Sequence, residues 1–472
     1  MAVQQKVFLG ALAIVSLFIF IFQLGGLPLY DYDEAHYAQV VRQTLQSGDF
    51  LTLKRAGGEW FEKPPLILWL TMGSVKIFGE NEFAIRFPAA IFSLLAIWGA
   101  YFLTFLLTNN FWAALCAGFL LLFSGIFPAS GRQLRMDAPL TSAIIWAVYS
   151  FVRGWKEPKM YLWFWFWIAA GVMIKSAPAL FACPIALIFS GVYKHWDWIK
   201  NKYFWLGIPL FFAVAAPWHI YETVKFGLRF WNDYFGYHIF RRATQEILGG
   251  HATTWDYLKH FLLLNEPWFI LVFIITALLF FYRKDKNAAY RLSVASFLSG
   301  IFIFFVFSAA KTKLIFYLVP VLAFEAVAVA SGAFFLFTAV AWRRKQAVFT
   351  AVFSIAFFIA ITSTLLQLFY FRAPYAYPHA DDEREIGKII KSYDNGHALY
   401  SFDWKAYETI YFYSGKNEIK LVDKEDLKNG FQPPYFIIMP RLYLRNENQP
   451  GLSVRYKGRY LVLLEAGQSK NK

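Results

Sequence analysis

The chain has 472 residues, of which 58% are hydrophobic, 21% aromatic and only 16% charged, with a mean hydropathy of +0.41. A soluble chain of this length folds as about three domains and carries about 25% charged residues. The composition therefore excludes a disordered protein, a disulfide-rich secreted scaffold and an ordinary cytosolic enzyme, and leaves a polytopic membrane protein, mainly α. The net charge of +15 is read as basic loops on the cytoplasmic face of a membrane, not as a nucleic-acid surface. Cys116 and Cys183, the two cysteines, lie in apolar runs, which speaks against a metal cluster or a disulfide framework.

A helix crosses the ~30 Å hydrocarbon core with roughly 20 apolar residues. Eleven runs qualify, within a range of 10–13: about 7–27, 84–107, 111–129, 137–153, 160–174, 177–193, 203–221, 262–282, 291–309, 313–337 and 347–370. The first is read as a span rather than a signal peptide, because it is long, opens with only Lys6 and shows no small-residue cleavage site. With the N-terminus in the cytoplasm, the inner loops hold Arg153, Lys156 and Lys159; Lys194, Lys200 and Lys202; Arg283, Lys284 and Lys286; and Arg343, Arg344 and Lys345, opposed only by Glu157, Asp197 and Asp285. That is the positive-inside pattern. The opposite face receives loops 28–83 and 222–261 and a C-terminal segment. Long outer loops rich in His, aromatics and mixed charges place the chemistry on that face, which in a bacterium is the periplasmic one.

Residues 1–371 thus form the transmembrane domain, and 372–472 read as a small α/β periplasmic domain. An amphipathic helix is expected over Ala380–Tyr393, with Ile386, Ile389 and Ile390 on one side. Strands are expected at His397–Phe402, Thr409–Tyr413, Tyr435–Met439 and Arg459–Leu464. The domain carries no catalytic motif, and its expected role is structural or contact with the acceptor.

The first outer loop carries most of the chemistry-bearing residues. Asp31, Asp33 and Glu34 lie within four residues. They fit either a helix N-terminus, capped and favoured by its dipole, or a catalytic cluster. A helix is expected over about 33–46, along the interface. Trp60-Phe61-Glu62-Lys63-Pro64-Pro65-Leu66 follows, then an apolar run to Phe78 that is too short to span comfortably. Lys63, in a rigid turn beside lipid, suits a lipid phosphate; the alternative is a snorkelling side chain.

Four runs together resemble a known family. They are Asp33-Glu34-Ala35-x-Tyr37-Ala38, Ser47-Gly48-Asp49, Phe61-Glu62-Lys63-Pro64-Pro65-Leu66 with Trp69, and Glu82-Phe83-Ala84-x-Arg86-x-Pro88. They resemble the N-terminal region of polyprenyl-phosphate-sugar-dependent glycosyltransferases of the GT-C fold. That family includes the aminoarabinose (4-amino-4-deoxy-L-arabinose) lipid A transferases and, more distantly, the protein O-mannosyltransferases. The resemblance covers about residues 30–90. It recurs at Asp137-Ala138-Pro139-Leu140, Lys175, Pro217-Trp218, His238-x-x-Arg241 and Lys313-Leu314-x-x-Tyr317-x-x-Pro320. The tail matches only in position.

The resemblance implies transfer of a sugar, with inversion, from a polyprenyl (undecaprenyl) phosphate carrier to a lipid or glycan acceptor at the membrane. It implies that Asp33 is the catalytic carboxylate, a base for a hydroxyl acceptor or an orienting group for a phosphate acceptor. Lys63 would bind the donor phosphate, where negative charge develops, with Lys175, Arg241, Lys313 and Tyr317 as further donor-site residues. It implies that Glu62 helps hold a divalent metal (Zn, Mg or Mn) or the sugar, and that His238 joins it in the metal site, with open positions for water or substrate. Set against each role is a structural one: a solvated loop His, an interfacial aromatic belt for Tyr317, a snorkelling Lys175, and pairing of Asp137 with Arg132 and Arg135. Glu34 and His36 complete the first cluster. The aminoarabinose transferases usually carry Arg at the position of His36, which bears on the sugar or acceptor more than on the reaction class. A flippase of lipid-linked sugars would share the helices, but it predicts repeated halves and polar residues at mid-span, and neither is evident. A scaffold would leave Asp33, Glu62 and Lys63 without a role.

Overall fold

The computed structural model describes residues 3–30, 32–246, 253–264, 268–281, 287–339, 343–366, 379–393, 396–403, 408–416, 418–429, 431–445 and 452–466. Two compact units emerge. The first comprises Met1–Phe22, Phe61–Leu70 and Arg86–Phe371; the second comprises Gln23–Trp60, Thr71–Ile85 and Arg372–Lys472. The expected division between 371 and 372 falls in the stretch 367–378, outside the described residues, as do Arg283, Lys284 and Lys286 of the third expected basic loop.

The first unit is helical. Among the described residues, five helices are long and apolar enough to cross a membrane: Val3–Ile21, Glu82–Thr108, Lys202–Phe226, Ala288–Ala309 and Ile315–Ala339. Among the described residues the other expected spans also fall on helices, most of them shorter, though Arg343–Leu365 has 23 residues. Phe111–Leu122 has 12 residues, about 18 Å of rise. It stops before Gly125, whose φ of 41° sits in the region glycine tolerates, and a second short helix starts at Ile126. The expected span over 177–193 opens as a 3₁₀ turn, Ala177–Phe181, before the helix Ala182–Tyr193. Val319–Ala339 is the axis of the unit: it is apolar all round and nearly every residue is buried, as expected of a helix surrounded by helices. It packs against Ala288–Ala309, Phe111–Leu122, Trp268–Phe281 and Asp137–Gly154. Within that packing the Ser293 hydroxyl donates to the Ala328 carbonyl at 2.7 Å.

The second unit joins the outer loop to the tail. Its five-stranded sheet is formed by β3 (Ala398–Phe402), β4 (Lys420–Val422), β5 (Tyr435–Pro440), β6 (Ser453–Lys457) and β7 (Leu461–Ala466), after a small hairpin of β1 (Lys54–Arg55) and β2 (Gly58–Glu59). The order is β4-β3-β5-β7-β6. β3 runs parallel to β4 and β5, and β7 antiparallel to β5 and β6. β7 is buried along its whole length. Alternation sends Leu461 and Leu463 to one face, against Ile386 and Ile390 of the helix Ala380–Ser392, and Val462 and Leu464 to the other, against Phe402 and Met439. The Asp382 carboxylate closes the β6–β7 turn by accepting from the amides of Arg459, Tyr460 and Leu461 at 3.2, 2.7 and 2.9 Å. Gly458 permits that approach, because a Cβ there would lie 2.2 Å from the carboxylate.

One expected strand is a helix. Thr409–Tyr413, β-branched and aromatic, forms part of the helix Glu408–Ser414. Tertiary packing overrides the local preference, since Ile410 enters the sheet core while the backbone and side chains of this segment hold the outer loop. Gln39, on the helix Asp33–Ser47, donates to the Glu408 carbonyl at 2.9 Å and to its carboxylate at 2.7 Å. Arg42 donates to the Phe412 carbonyl and stacks over its ring at 4.2 Å. The Tyr413 hydroxyl donates to Glu82 at 3.0 Å and accepts from the Leu29 amide at 2.8 Å. The short strands β4 and β6 escaped the sequence reading because both are exposed edge strands with little apolar alternation.

Glu80 ties three parts of this unit, accepting from Arg42 Nε at 3.1 Å and from Lys391 at 3.0 Å. Burial pushes its carboxyl up, but Arg42 and Lys391 outweigh burial and hold it below the usual carboxylate range. A carboxylate whose folded value is depressed contributes stability that is present above the unfolded value, about 4.3, and is lost as pH falls through the folded value. Unfolding of the full chain in detergent should therefore show a loss of thermal stability below about pH 4, and Glu80→Gln should flatten that part of the profile while lowering stability at pH 7.

Candidate active site

A cavity of about 260 Å³ lies within the first unit, lined by Glu62, Lys63, Lys175, Ser176, His238, Arg242, Thr312 and Tyr317 among its polar residues and by Ala177, Pro178, Phe181, Ile239, Val306 and Phe307 among its apolar ones. Each charged wall has a local cause. Phe61 is buried in an aromatic cluster with Trp218, Phe230 and Tyr234, which anchors the chain just before Glu62. Pro64 and Pro65 lack the N–H groups that a helix start leaves unsatisfied, so they suit the entry to the helix Leu66–Phe78. Glu62 and Lys63 are thus held in a fixed turn, with 13% and 12% of their side chains exposed. Lys63 Nζ donates to the Glu62 carbonyl at 3.3 Å and to Oε1 at 3.1 Å.

Arg242 Nη2 donates to the same Oε1 at 3.2 Å. It is placed by backbone bonds from the 311–312 segment, Lys311 N to Ala243 O at 2.9 Å and Thr312 N to Arg242 O at 3.1 Å. On the opposite wall Lys175 ends the helix Met160–Lys175. It pairs with Asp137 and lies 4.5 Å from the centre of the Tyr317 ring. Asp137 also accepts from Arg135 Nε at 3.2 Å, and Arg135 stacks over Phe316. Around two carboxylates, Glu62 and Asp137, stand four cations, Lys63, Arg242, Lys175 and Arg135. Lys63, Lys175 and Arg242 line the cavity itself beside the Glu62 carboxylate, a setting that suits an anionic group.

The structure brings Glu62, Lys63, Lys175, His238 and Tyr317 to one cavity. It does not bring Arg241 or Lys313 there. Arg241 is exposed, donates to Gln245 at 2.7 Å and stacks on Tyr237 at 5.3 Å; Lys313 donates to the Ala310 carbonyl at 2.8 Å. The cause is helical register. Asn232–Arg241 is a π-helix, whose i→i+5 bonding widens the turn, so His238 shares a face with Arg242 rather than with Arg241. Ile239 and Ala243 line the cavity by the same step of four. Asp137 stands behind Lys175 as its partner, while Arg132 donates to the Ile19 carbonyl instead.

Two groups escaped the sequence reading. Arg242 was hidden by the adjacent Arg241, and only the helix register separates them. Ser176 carries no motif; its signal is conformational. Its φ of 62° and ψ of −137° lie where glycine is normally required, a strain of about 1–3 kcal/mol that concentrates at functional sites. Tyr32, just before Asp33, is held similarly at φ 71° and ψ −110°.

The metal expectation finds a poor fit. His238 Nδ1 lies 4.0 Å from Glu62 Oε1 and Nε2 3.4 Å from Asp233, but that Oε1 is already shared by Lys63 and Arg242. A divalent ion there would stand against two fixed cations. Among the described residues no group of three His, Cys, Asp or Glu side chains is arranged to hold a metal.

In the second unit, Asp33 and Glu34 open the helix Asp33–Ser47. Glu34 is fully buried and accepts from the Tyr30 amide at 2.7 Å, a structural role at the helix start. His36 Nε2 accepts from Trp60 Nε1 at 3.0 Å, and its Nδ1 lies 4.0 Å from Glu408. Asp33 is half-buried.

Residues 62–221 match the model of the dolichyl-phosphate-mannose-protein mannosyltransferase family. The undecaprenyl phosphate-alpha-4-amino-4-deoxy-L-arabinose arabinosyl transferase of Aeromonas hydrophila is 29% identical over 334 residues, 68% of this chain and 59% of that protein. Its namesake from Shewanella sediminis is 28% identical over 378 residues, 76% and 65%. The chain spans less than two thirds of the length of either relative. Among solved structures, ArnT from Cupriavidus metallidurans bound to undecaprenyl phosphate superposes with a TM-score of 0.75 over 99% of both chains, at 16% identity. The chain has the GT-C fold of that structure, and the family match at 62–221 takes in the Glu62-Lys63-Pro64-Pro65 part of the resemblance read from the sequence.

The register difference is directly testable. Arg242→Ala should weaken binding of a phosphate-bearing lipid to the purified protein by about tenfold or more, as expected for loss of a charged hydrogen bond, whereas Arg241→Ala should stay within about twofold.

Proposed function

We propose that this protein is an integral membrane glycosyltransferase that moves a sugar, with inversion, from an undecaprenyl phosphate carrier to an acceptor on the periplasmic face of a bacterial inner membrane. The observation that carries the reading is the convergence of three half-buried cations, Lys63, Lys175 and Arg242, on one cavity with largely apolar walls. An anionic headgroup with a hydrocarbon tail matches both features. At 4 Å and an effective dielectric of about 20, each cation attracts a unit negative charge by about 4 kcal/mol before desolvation. Charge builds on the phosphate as the glycosidic bond breaks, so Lys63, Lys175 and Arg242 stabilise the leaving group more than the ground state. Tyr317 presents its ring face to Lys175.

Asp33 is the carboxylate for the acceptor. If the acceptor is a hydroxyl it takes the proton; if it is a phosphate, already anionic, it orients. The acceptor is lipid A or another envelope glycan, and the sugar by preference 4-amino-4-deoxy-L-arabinose, after the names of the relatives. Eleven crossings put the N-terminus in the cytoplasm and the C-terminal segment in the periplasm, as loop charge requires. No step is routed through a metal, because the cations on Glu62 leave it a poor ligand.

Reconstitution with undecaprenyl phosphate carrying aminoarabinose, and lipid A as acceptor, tests the reading by mass spectrometry of the acceptor. Wild type should transfer. Lys63→Ala should bind the carrier about 10–100-fold more weakly, for a loss of about 1.5–3 kcal/mol. Asp33→Asn should bind it normally, remain folded and fail to transfer. Full turnover in Asp33→Asn, or unaltered carrier binding in Lys63→Ala, would refute the assignment.

A further inference from the structure

One polar group on the cavity wall is unexplained by phosphate binding. Ser176 lines the cavity next to Lys175. Its hydroxyl is 2.8 Å from that of Tyr234, which is 3.0 Å from Nε2 of His219. Nδ1 of His219 is in turn 2.7 Å from the Ala215 carbonyl. A carbonyl only accepts, so Nδ1 carries the proton and Nε2 of the neutral ring is an acceptor. The ring lies among Trp218, Phe230, Trp231 and Tyr234, and Nε2 faces a hydroxyl rather than a carboxylate, the setting of a neutral imidazole. Two hydroxyls can share a hydrogen bond in either sense, and here the far end fixes it. Tyr234 donates to His219, and Ser176 donates to Tyr234.

Ser176 therefore directs its single hydrogen into the protein and presents only lone pairs to the cavity. Lone pairs repel phosphate oxygens, which are themselves acceptors, and attract O–H or N–H groups. We propose that Ser176 is a specificity-determining residue that accepts a hydrogen bond from a hydroxyl or ammonium group of the transferred sugar, with Tyr234 and His219 as positioning residues that set the sense of that bond. This rests on the reading of the cavity as a site for a lipid-phosphate-linked sugar. The backbone supports it independently. At φ 62° glycine would be easier, so a serine is held there against a conformational cost, and glycine offers a variant that relieves strain while removing the hydroxyl.

The test uses the full-length protein in detergent or nanodiscs, with undecaprenyl phosphate alone and the same lipid carrying 4-amino-4-deoxy-L-arabinose or mannose as probes. Wild type should bind one loaded carrier at least tenfold more tightly than the bare carrier. Ser176→Gly should leave bare-carrier affinity within twofold and reduce the loaded carrier's advantage to about twofold, with thermal stability unchanged or raised. Tyr234→Phe, which frees the serine hydrogen to turn outward, should also reduce the advantage and should strengthen the bare carrier. Equal weakening of both carriers in Ser176→Gly would make Ser176 a phosphate ligand and overturn the proposal. An undiminished advantage, or no advantage in wild type, would overturn it as well. Wild type that binds neither carrier would overturn both the proposal and the reading of the cavity.

Discussion

The cavity depends on cations that two carboxylates hold in place. Glu62 accepts from both Lys63 and Arg242, and Asp137 from both Lys175 and Arg135. Each carboxylate fixes two cations in place. Their geometry is thus set before any ligand arrives, which is the condition for stabilising charge that develops during a reaction. The same carboxylates prevent the cations from turning away to solvent. Glu62 thus acts as the support of a cationic clamp, and that role explains why it stands next to Lys63 in a proline-locked turn.

The second unit solves a different problem. The helix Asp33–Ser47 lies within the first outer loop and is held by contacts far away in the sequence. The fold fixes it through the tail: Gln39 and Arg42 bind the helix Glu408–Ser414, while Glu80 joins Arg42 to Lys391. The tail thus does chemical service without a catalytic residue. It holds the outer loop, and the strained Tyr32 that precedes Asp33, by polar contacts that span more than 300 residues of sequence.

Much of this was legible in the sequence. Apolar run lengths located the helices of the first unit, and the continuous apolar stretch at Leu461–Leu464 marked the buried strand β7. Glu62, Lys63, Lys175, His238 and Tyr317 stand out in the sequence by motif and setting, and they share one cavity. What was not legible depends on register and on long-range contact. A π-helix exchanges Arg241 for Arg242 by a single position, and no composition or motif records the widened turn. The Thr409–Tyr413 segment has the residues of a strand, and only its partners make it a helix. Ser176 is an ordinary residue whose importance lies in its backbone angles and in the two side chains behind it.

In the proposed reading Lys63, Lys175 and Arg242, which line the cavity, together receive one anionic headgroup. A cryo-electron microscopy map of the protein with undecaprenyl phosphate, in a lipid nanodisc, tests it most directly. The account predicts phosphate density within hydrogen-bonding reach of Lys63, Lys175 and Arg242, with the prenyl tail leaving past Phe181 and Phe307. Phosphate density at any other site, with the cavity filled only by solvent, would contradict it.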